Sequence, residues 1–253
     1  MRELGGHAIY LSPAEVGLGK RESVSDVART LSRFVHGIVA RTFAHGSVEL
    51  LAQHATVPVI NALSDYEHPC QALGDLLTIL EKKGRLKGLR LAYVGDGNNV
   101  ARSLMLAAAA AGLDFAIASP PGYEMDGPAL ERARKAAGQS GAAIAAMAEP
   151  HRAVEKADVV YTDVWTSMGQ EAESEVRRRA FAAYQVDSGL LSRAGKGALF
   201  MHPLPAHHGE EVAEGLLDHP QSVVFDQAEN RLHIQKAILI RALGPGGHAH
   251  PAP

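Results

Sequence analysis

The sequence predicts an α/β protein of two domains, each a doubly wound parallel sheet. Three observations carry this reading. Short apolar runs alternate with longer helical patterns along the whole chain, which is the signature of parallel architecture. Polar residues suited to ligand contact fall where apolar runs end, and open sheets of this kind bind ligands at the carboxyl ends of their strands. A break at Lys83-Gly84-Arg85, after a long helical stretch and before a new apolar run, marks a domain boundary.

The elements follow in order. A strand is expected over His7–Leu11, then a helix over Ser23–Phe34, a strand over Gly37–Arg41, a helix over Ser47–His54 and a strand over Val57–Asn61. The long helix Pro69–Lys83 closes this part. Beyond the boundary, strands are expected over Leu89–Gly95, Phe115–Ser119, Ala142–Met147, Val159–Val164, Ala198–His202 and Ser222–Asp226. Helices over Val100–Ala111, Pro128–Ala137 and Gln170–Ala183 separate them, and Leu104 to Gly112 reads as a buried helical run too short to span a bilayer. A last helix, Ala228–Leu243, is ended by Gly244-Pro-Gly-Gly. The second domain is therefore a sheet of about five strands between Leu89 and Val224. No internal repeat is visible.

Composition narrows the function classes. With 253 residues, the chain is long enough for a substantial core. Apolar residues make up 46% and charged ones 21%, as in soluble globular proteins. A net charge of −3 gives no electrostatic reason to expect nucleic acid or an anionic membrane as partner. The start, Met1-Arg-Glu-Leu-Gly-Gly, has no apolar signal region. One cysteine, Cys70, excludes internal disulfides and fits a reducing cytoplasm. The thirteen histidines show no metal-ligand spacing, and the Gly/Pro tail from residue 244 to 253 reads as disordered.

Four motifs carry chemistry. Gly95-Asp-Gly-Asn-Asn99 opens a helix. It lacks the third glycine of a dinucleotide loop, and Phe115–Ser119 ends in Pro120-Pro121 rather than an acidic residue. It is a strand-to-helix turn whose residues permit positive φ, or it places Asn99 to donate to a carboxylate. Asp163-Val-Trp-Thr-Ser167-Met168-Gly169 ends a strand. There an aspartate can hold an ammonium group, a serine can add a neutral hydrogen bond, and backbone N–H groups can meet a carboxylate. The alternative is that Asp163 or Ser167 caps the helix entered near Gln170. His68-Pro-Cys-Gln71 starts a helix, where free N–H groups and the dipole attract anions and polarised oxygens; His68 there is either a ligand or a capping residue. His202-Pro-Leu-Pro205 ends a strand, and its two prolines remove N–H donors. The carbonyls of Pro203 and Leu204 are thereby left to accept from an NH2 group, in a corner that is rigid in either case.

These motifs, in this order, resemble the ornithine carbamoyltransferases, a similarity running from Gly5-Gly6 to about Leu243. The Asp-x-x-x-Ser-Met-Gly arrangement matches that family's ornithine motif. The resemblance implies carbamoyl phosphate contacts at Arg41, His68, Gln71 and Arg231, with the carbonyls of Pro203 and Leu204. It implies ornithine contacts at Asn99, Asp163, Ser167 and the backbone of Met168. Arg231, in a Glu-Asn-Arg segment expected in the first turn of the last helix, and Arg41, at a strand end, resemble residues that stabilise the carbamoyl oxygen. The implied reaction, in arginine biosynthesis or catabolism, gives citrulline and needs no metal or organic cofactor. The implied partners are the two small substrates, with no nucleic acid or membrane, and the implied assembly is trimer-based. Residues 1–83 with 228–243 would form the carbamoyl phosphate domain, shortened at its N-terminus, and 84–227 the ornithine domain.

Two departures stand out. The family's Ser-x-Arg-Thr-Arg phosphate loop has no counterpart in this sequence, and Arg2 is not a substitute. The opening resembles the end of the helix that follows that loop, so Met1 is expected to be an internal methionine. Pro203 stands where the family has a cysteine, and His-Pro-Leu-Pro resembles the aspartate branch. Three rivals follow: a transferase acting on aspartate or a modified ornithine, a non-catalytic amino-acid-binding subunit, and a dinucleotide-binding protein.

Overall fold

A computed structural model of the protein describes residues 1–167 and 169–244; Met168 and the tail 245–253 lie outside them. The chain forms two units, Met1–Cys70 together with the chain from Leu232, and Gln71–Arg231. The helices α4 (Pro69–Lys83) and α10 (Val224–Leu243) each run from one unit into the other. No described helix is long and apolar enough to cross a membrane.

In the first unit, α1 (Pro13–Val16) and α2 (Val24–Leu31) precede β1 (Ile38–Arg41), α3 (His45–His54) and β2 (Val59–Leu63). Ser23 starts α2 by accepting from the Asp26 N–H at 3.1 Å, which satisfies a donor the helix itself cannot. The strands β1 and β2 pair in parallel, Ile38 against Val59. A small core of Val24, Ala28, Ala40, Val48, Leu51 and Ala55 joins them to α2 and α3. The expected strand His7–Leu11 does not form. Ile9 and Tyr10 are exposed, and no described strand pairs with this segment. An apolar run alone cannot satisfy the backbone groups of a strand.

The second unit is the doubly wound sheet. After α4 come β3 (Arg90–Val94), α5 (Asn99–Ala111), β4 (Asp114–Ala118), α6 (Gly127–Ser140), β5 (Ile144–Met147) and α7 (Pro150–Val154). Then follow β6 (Val159–Tyr161), α8 (Ser174–Phe181), α9 (Ser188–Ser192) and β7 (Leu199–Met201). The five strands are all parallel, in the order β5-β4-β3-β6-β7. Side chains alternate faces, as strand geometry requires. Leu91, Tyr93, Phe115, Ile117 and Tyr161 pack on one side with α4, α5 and α6. Ala92, Val94, Ala116, Ala118 and Val160 pack on the other with α7, α8 and α9. Both faces are covered, which explains why these strands read as unbroken apolar runs.

Two further expectations are corrected. Ser222–Asp226 is not a strand: Ser222 makes one isolated parallel bridge to Phe200, and α10 begins at Val224. Asp226 then sits in the first turn, where a carboxylate complements the helix dipole. The expected helix Gln170–Ala183 is α8 flanked by short 3-10 turns, Glu171–Glu173 and Ala182–Tyr184.

Candidate active site

The strand order reverses direction between β3 and β6, because the chain adds β4 and β5 on one side and β7 on the other. A crevice opens at such a point, outside the carboxyl ends of the strands. The turns after β3, β6 and β7 therefore form the floor of the candidate site in the second unit. They carry Asn99, Asp163, Pro203 and Leu204.

Asp163 is buried and held from two sides. Its Oδ2 accepts from Asn98 Nδ2 at 2.8 Å and its Oδ1 from the Val164 N–H at 2.8 Å. Burial raises its carboxyl above the usual carboxylate range, while His202, Asn98 and the Val164 N–H oppose the rise. A carboxylate so placed has strong reason to accept a cationic partner. Asn98 also caps α5, its Oδ1 accepting from the Ala101 N–H at 3.0 Å. Asn99, the candidate named from sequence, is half-buried in the first turn of α5. Neither Asp163 nor Ser167 caps a helix here: α8 begins at Ser174. The Ser167 N–H donates to Gln170 Oε1 at 3.1 Å and the Gly169 N–H to Glu171 Oε1 at 2.9 Å. The implied backbone contact of Met168 falls outside the described residues.

The turn after β7 is rigid. Pro203 and His202 are buried, and Leu204 has φ 55°, a left-handed backbone unusual for a branched residue. The N–H between its two prolines, that of Leu204, donates to His202 Nδ1 at 3.0 Å. His202 Nε2 lies 3.2 Å from Oε1 of the fully buried Glu211, which also accepts from the His207 N–H at 2.6 Å. His207, Glu210 and Glu211 bring one ligand atom each within 4.8 Å of one another, a grouping that spacing did not reveal. Arg178 Nε already donates to Glu210 at 2.8 Å.

The remaining candidates divide between the units. Arg41 is exposed at the end of β1, and His68 is buried just before α4. Both belong to the first unit, while Gln71 and Arg231 belong to the second. Gln71 is buried in the first turn of α4. Arg231 is half-buried, about two turns into α10 rather than in its first turn, because the helix starts four residues earlier than expected.

Comparison with known proteins decides the family. A model described as "Aspartate/ornithine carbamoyltransferase, Asp/Orn binding domain" matches residues 87–242, and its "carbamoyl-P binding domain" companion matches residues 1–81. The chain belongs to the aspartate/ornithine carbamoyltransferase family. It is 53% identical over 244 residues to "Ornithine carbamoyltransferase, anabolic" of Pyrococcus furiosus, covering 96% of this chain and 78% of the relative. The solved ornithine carbamoyltransferase structure from that organism superposes with a TM-score of 0.94 over the same shares of the two chains. The structure of the Giardia lamblia ornithine transcarbamoylase, 33% identical, gives 0.87 over 100% of this chain and 80% of that one.

Within this family's amino-acid domain, sequence reasoning missed the residues that hold the named ones in place. Arg177 is buried; its Nη1 donates to Asp96 Oδ2 at 2.7 Å and to the Trp165 carbonyl at 2.9 Å, and its guanidinium lies 4.8 Å from the Tyr123 ring centre. It thereby ties the end of β3 to the Asp163–Gly169 turn. Asp75 is fully buried and accepts from Gln71, Tyr161 and Gln227. The spacing of four between Gln71 and Asp75 places both on one helix face, the one signal that could have revealed this carboxylate.

Proposed function

We propose that this chain transfers the carbamoyl group of carbamoyl phosphate to the side-chain amine of L-ornithine, giving L-citrulline and phosphate. The observation that carries the reading is Asp163, a buried carboxylate at the end of β6, at the switch point of a domain matched by the Asp/Orn binding model. In this reading Asp163 takes the α-ammonium group. Asn99, Ser167 and the backbone at Met168 take the carboxylate end of the amino acid.

Carbamoyl phosphate is assigned to Arg41, His68, Gln71 and Arg231. Arg41, His68 and Arg231 stabilise the oxygen that gains charge as the amine attacks; losing one such donor costs about 2.7–4 kcal/mol. The carbonyls of Pro203 and Leu204 accept from the carbamoyl NH2. An alkyl amine has a pKa of about 10.4, so the bound nucleophile must be held neutral. Phosphate leaves from the tetrahedral intermediate, and fixing both reactants in one orientation supplies much of the acceleration. Residues 1–83 with 228–243 are assigned to the phosphate donor and 84–227 to ornithine. A trimer-based assembly and a cytoplasmic location, the latter consistent with a single cysteine, belong to the same reading.

Pro203 supports a second reading in which aspartate is the acceptor, since the turn has the form His-Pro-Leu-Pro. Supplying carbamoyl phosphate with ornithine, N-acetylornithine or aspartate in parallel separates the two. Citrulline from ornithine alone supports the first reading; carbamoyl aspartate as the main product replaces it, and no transfer to any acceptor rejects both.

A further inference from the structure

Asp75 sits at the centre of a side-chain network to which the site residues connect from two directions. On α4, Gln71 Nε2 donates to Asp75 Oδ1 at 2.8 Å. From the start of α10, Gln227 Nε2 donates to the same oxygen at 2.7 Å and to Tyr161 Oη at 3.2 Å. Tyr161 in turn donates to Asp75 Oδ2 at 3.0 Å. The Gln227 Oε1 that remains accepts the backbone N–H of His202 at 2.9 Å, immediately before the Pro203-Leu204 turn. Asp75, Gln71, Tyr161, Gln227 and His202 are all buried.

This arrangement fixes which way each amide points. Asp75 Oδ1 accepts from both Gln71 Nε2 and Gln227 Nε2, so it carries no proton; it takes the NH2 end of Gln71 and leaves the carbonyl end for something else. That carbonyl oxygen, Gln71 Oε1, is buried and has no hydrogen-bond partner within the described residues. Buried acceptors are seldom left unpaired, and one that is marks a place where a partner is missing. The partner it suits is an N–H donor.

We propose that Asp75 is a positioning residue for the transfer reaction: it locks the Gln71 amide so that only its carbonyl oxygen is offered to the donor substrate. Through Gln227 it also holds the His202–Leu204 turn, so the acceptors for the substrate's NH2 share one rigid frame. The inference rests on the carbamoyl transfer reading and deepens it. Selection of the donor follows from it, because a carbamoyl group brings an NH2 to these acceptors and an acetyl group brings a methyl. The nearest groups of other elements are consistent with this role: Tyr161 from β6 and Tyr93 from β3 stay neutral, and the field of the Arg231 cation from α10 reaches Asp75.

The decisive variant is Asp75→Asn, equal in volume but able to present its own NH2 to Gln71 and so to permit either amide orientation. Steady-state assays would use carbamoyl phosphate as substrate and acetyl phosphate as competitor. The KM for carbamoyl phosphate is expected to rise at least tenfold, while the Ki of acetyl phosphate changes less than twofold. Added to Gln71→Ala, the substitution should change neither constant more than twofold. Equal loss for both phosphates, or a full further penalty on top of Gln71→Ala, would mean a merely structural role and overturn the proposal. If Asp75→Asn does not fold, Gln227→Met decides, with an expected rise of at least threefold in the KM for carbamoyl phosphate alone; no change overturns the proposal. Side-chain amide exchange by NMR reads the lock without catalysis. The Gln71 NH2 signal, assigned by its loss in Gln71→Ala, should exchange slowly in the wild type. Fast exchange overturns the lock even if citrulline forms, whereas slow exchange without citrulline rejects the transfer reading and leaves the lock standing.

Discussion

Asp75→Asn also isolates the cost of burying a carboxylate without an ion-paired cation. Burial pushes the Asp75 carboxyl up from 3.8 to about 7, against the opposing pull of Gln71, Gln227 and Tyr161 and the field of Arg231. Between those two values the folded chain binds a proton that the unfolded chain has lost, so stability falls as pH rises through the window and the loss is complete above 7. The whole displacement corresponds to about 4 kcal/mol, of which about 3 kcal/mol falls between pH 5 and pH 8. Asparagine cannot ionise and carries none of this slope. Asp96 and Asp163, whose carboxyls burial also raises, are present in both proteins and cancel in the comparison. Thermal unfolding of both proteins from pH 5 to pH 8 reads the difference. The wild-type Tm should drop relative to that of the variant by roughly 6–12 °C across the range. Parallel Tm curves would refute the reasoning, because they would mean that Asp75 has the same proton affinity folded and unfolded.

Other substitutions test the frame of the site. Arg177→Ala leaves Asp96 buried without its cation and frees the Trp165 carbonyl; a loss of about 3–5 kcal/mol in urea unfolding is expected, and a loss below 1 kcal/mol would contradict the buried pair. Gly97→Ala places a methyl 2.5 Å from the Met125 backbone nitrogen and 2.7 Å from the Glu124 carbonyl oxygen. The turn after β3 must then shift, at about 1–3 kcal/mol of stability, and unchanged unfolding would show that the turn yields freely. Asp163→Ala removes the buried acceptor of Asn98 and of the bound ammonium; the ornithine KM should rise at least about 30-fold, the low end of losing one partner of a buried charge pair, and an unchanged KM removes Asp163 from the site.

Much of the fold was legible because both sheet faces are covered. Runs such as Leu91–Val94 and Phe115–Ala118 had to be apolar throughout, and they are fully buried. The long helix Pro69–Lys83 was bounded correctly by a proline at its start and by Gly84, with φ 74°, just past its end. His7–Leu11 failed because an apolar run shows that a strand could pair, not that a partner is beside it. Ser222–Asp226 has β7 beside it but gives only one bridge, to Phe200, before α10 begins at Val224. Among the candidate site residues, Asn99, Asp163, Pro203 and Leu204 could be located in the fold because strand ends are visible in the pattern. The network behind them could not. Asp75 meets Tyr161 across 86 residues and Gln227 across 152, and only the topology brings these groups together.

The most direct measurement of the central claim is a crystal of this protein soaked with norvaline, an ornithine analogue without the reacting amine. The account predicts clear density outside the ends of β3 and β6, with the α-ammonium group in hydrogen-bond range of the Asp163 carboxylate. Norvaline bound elsewhere, or bound there with its carboxylate end towards Asp163, would contradict it.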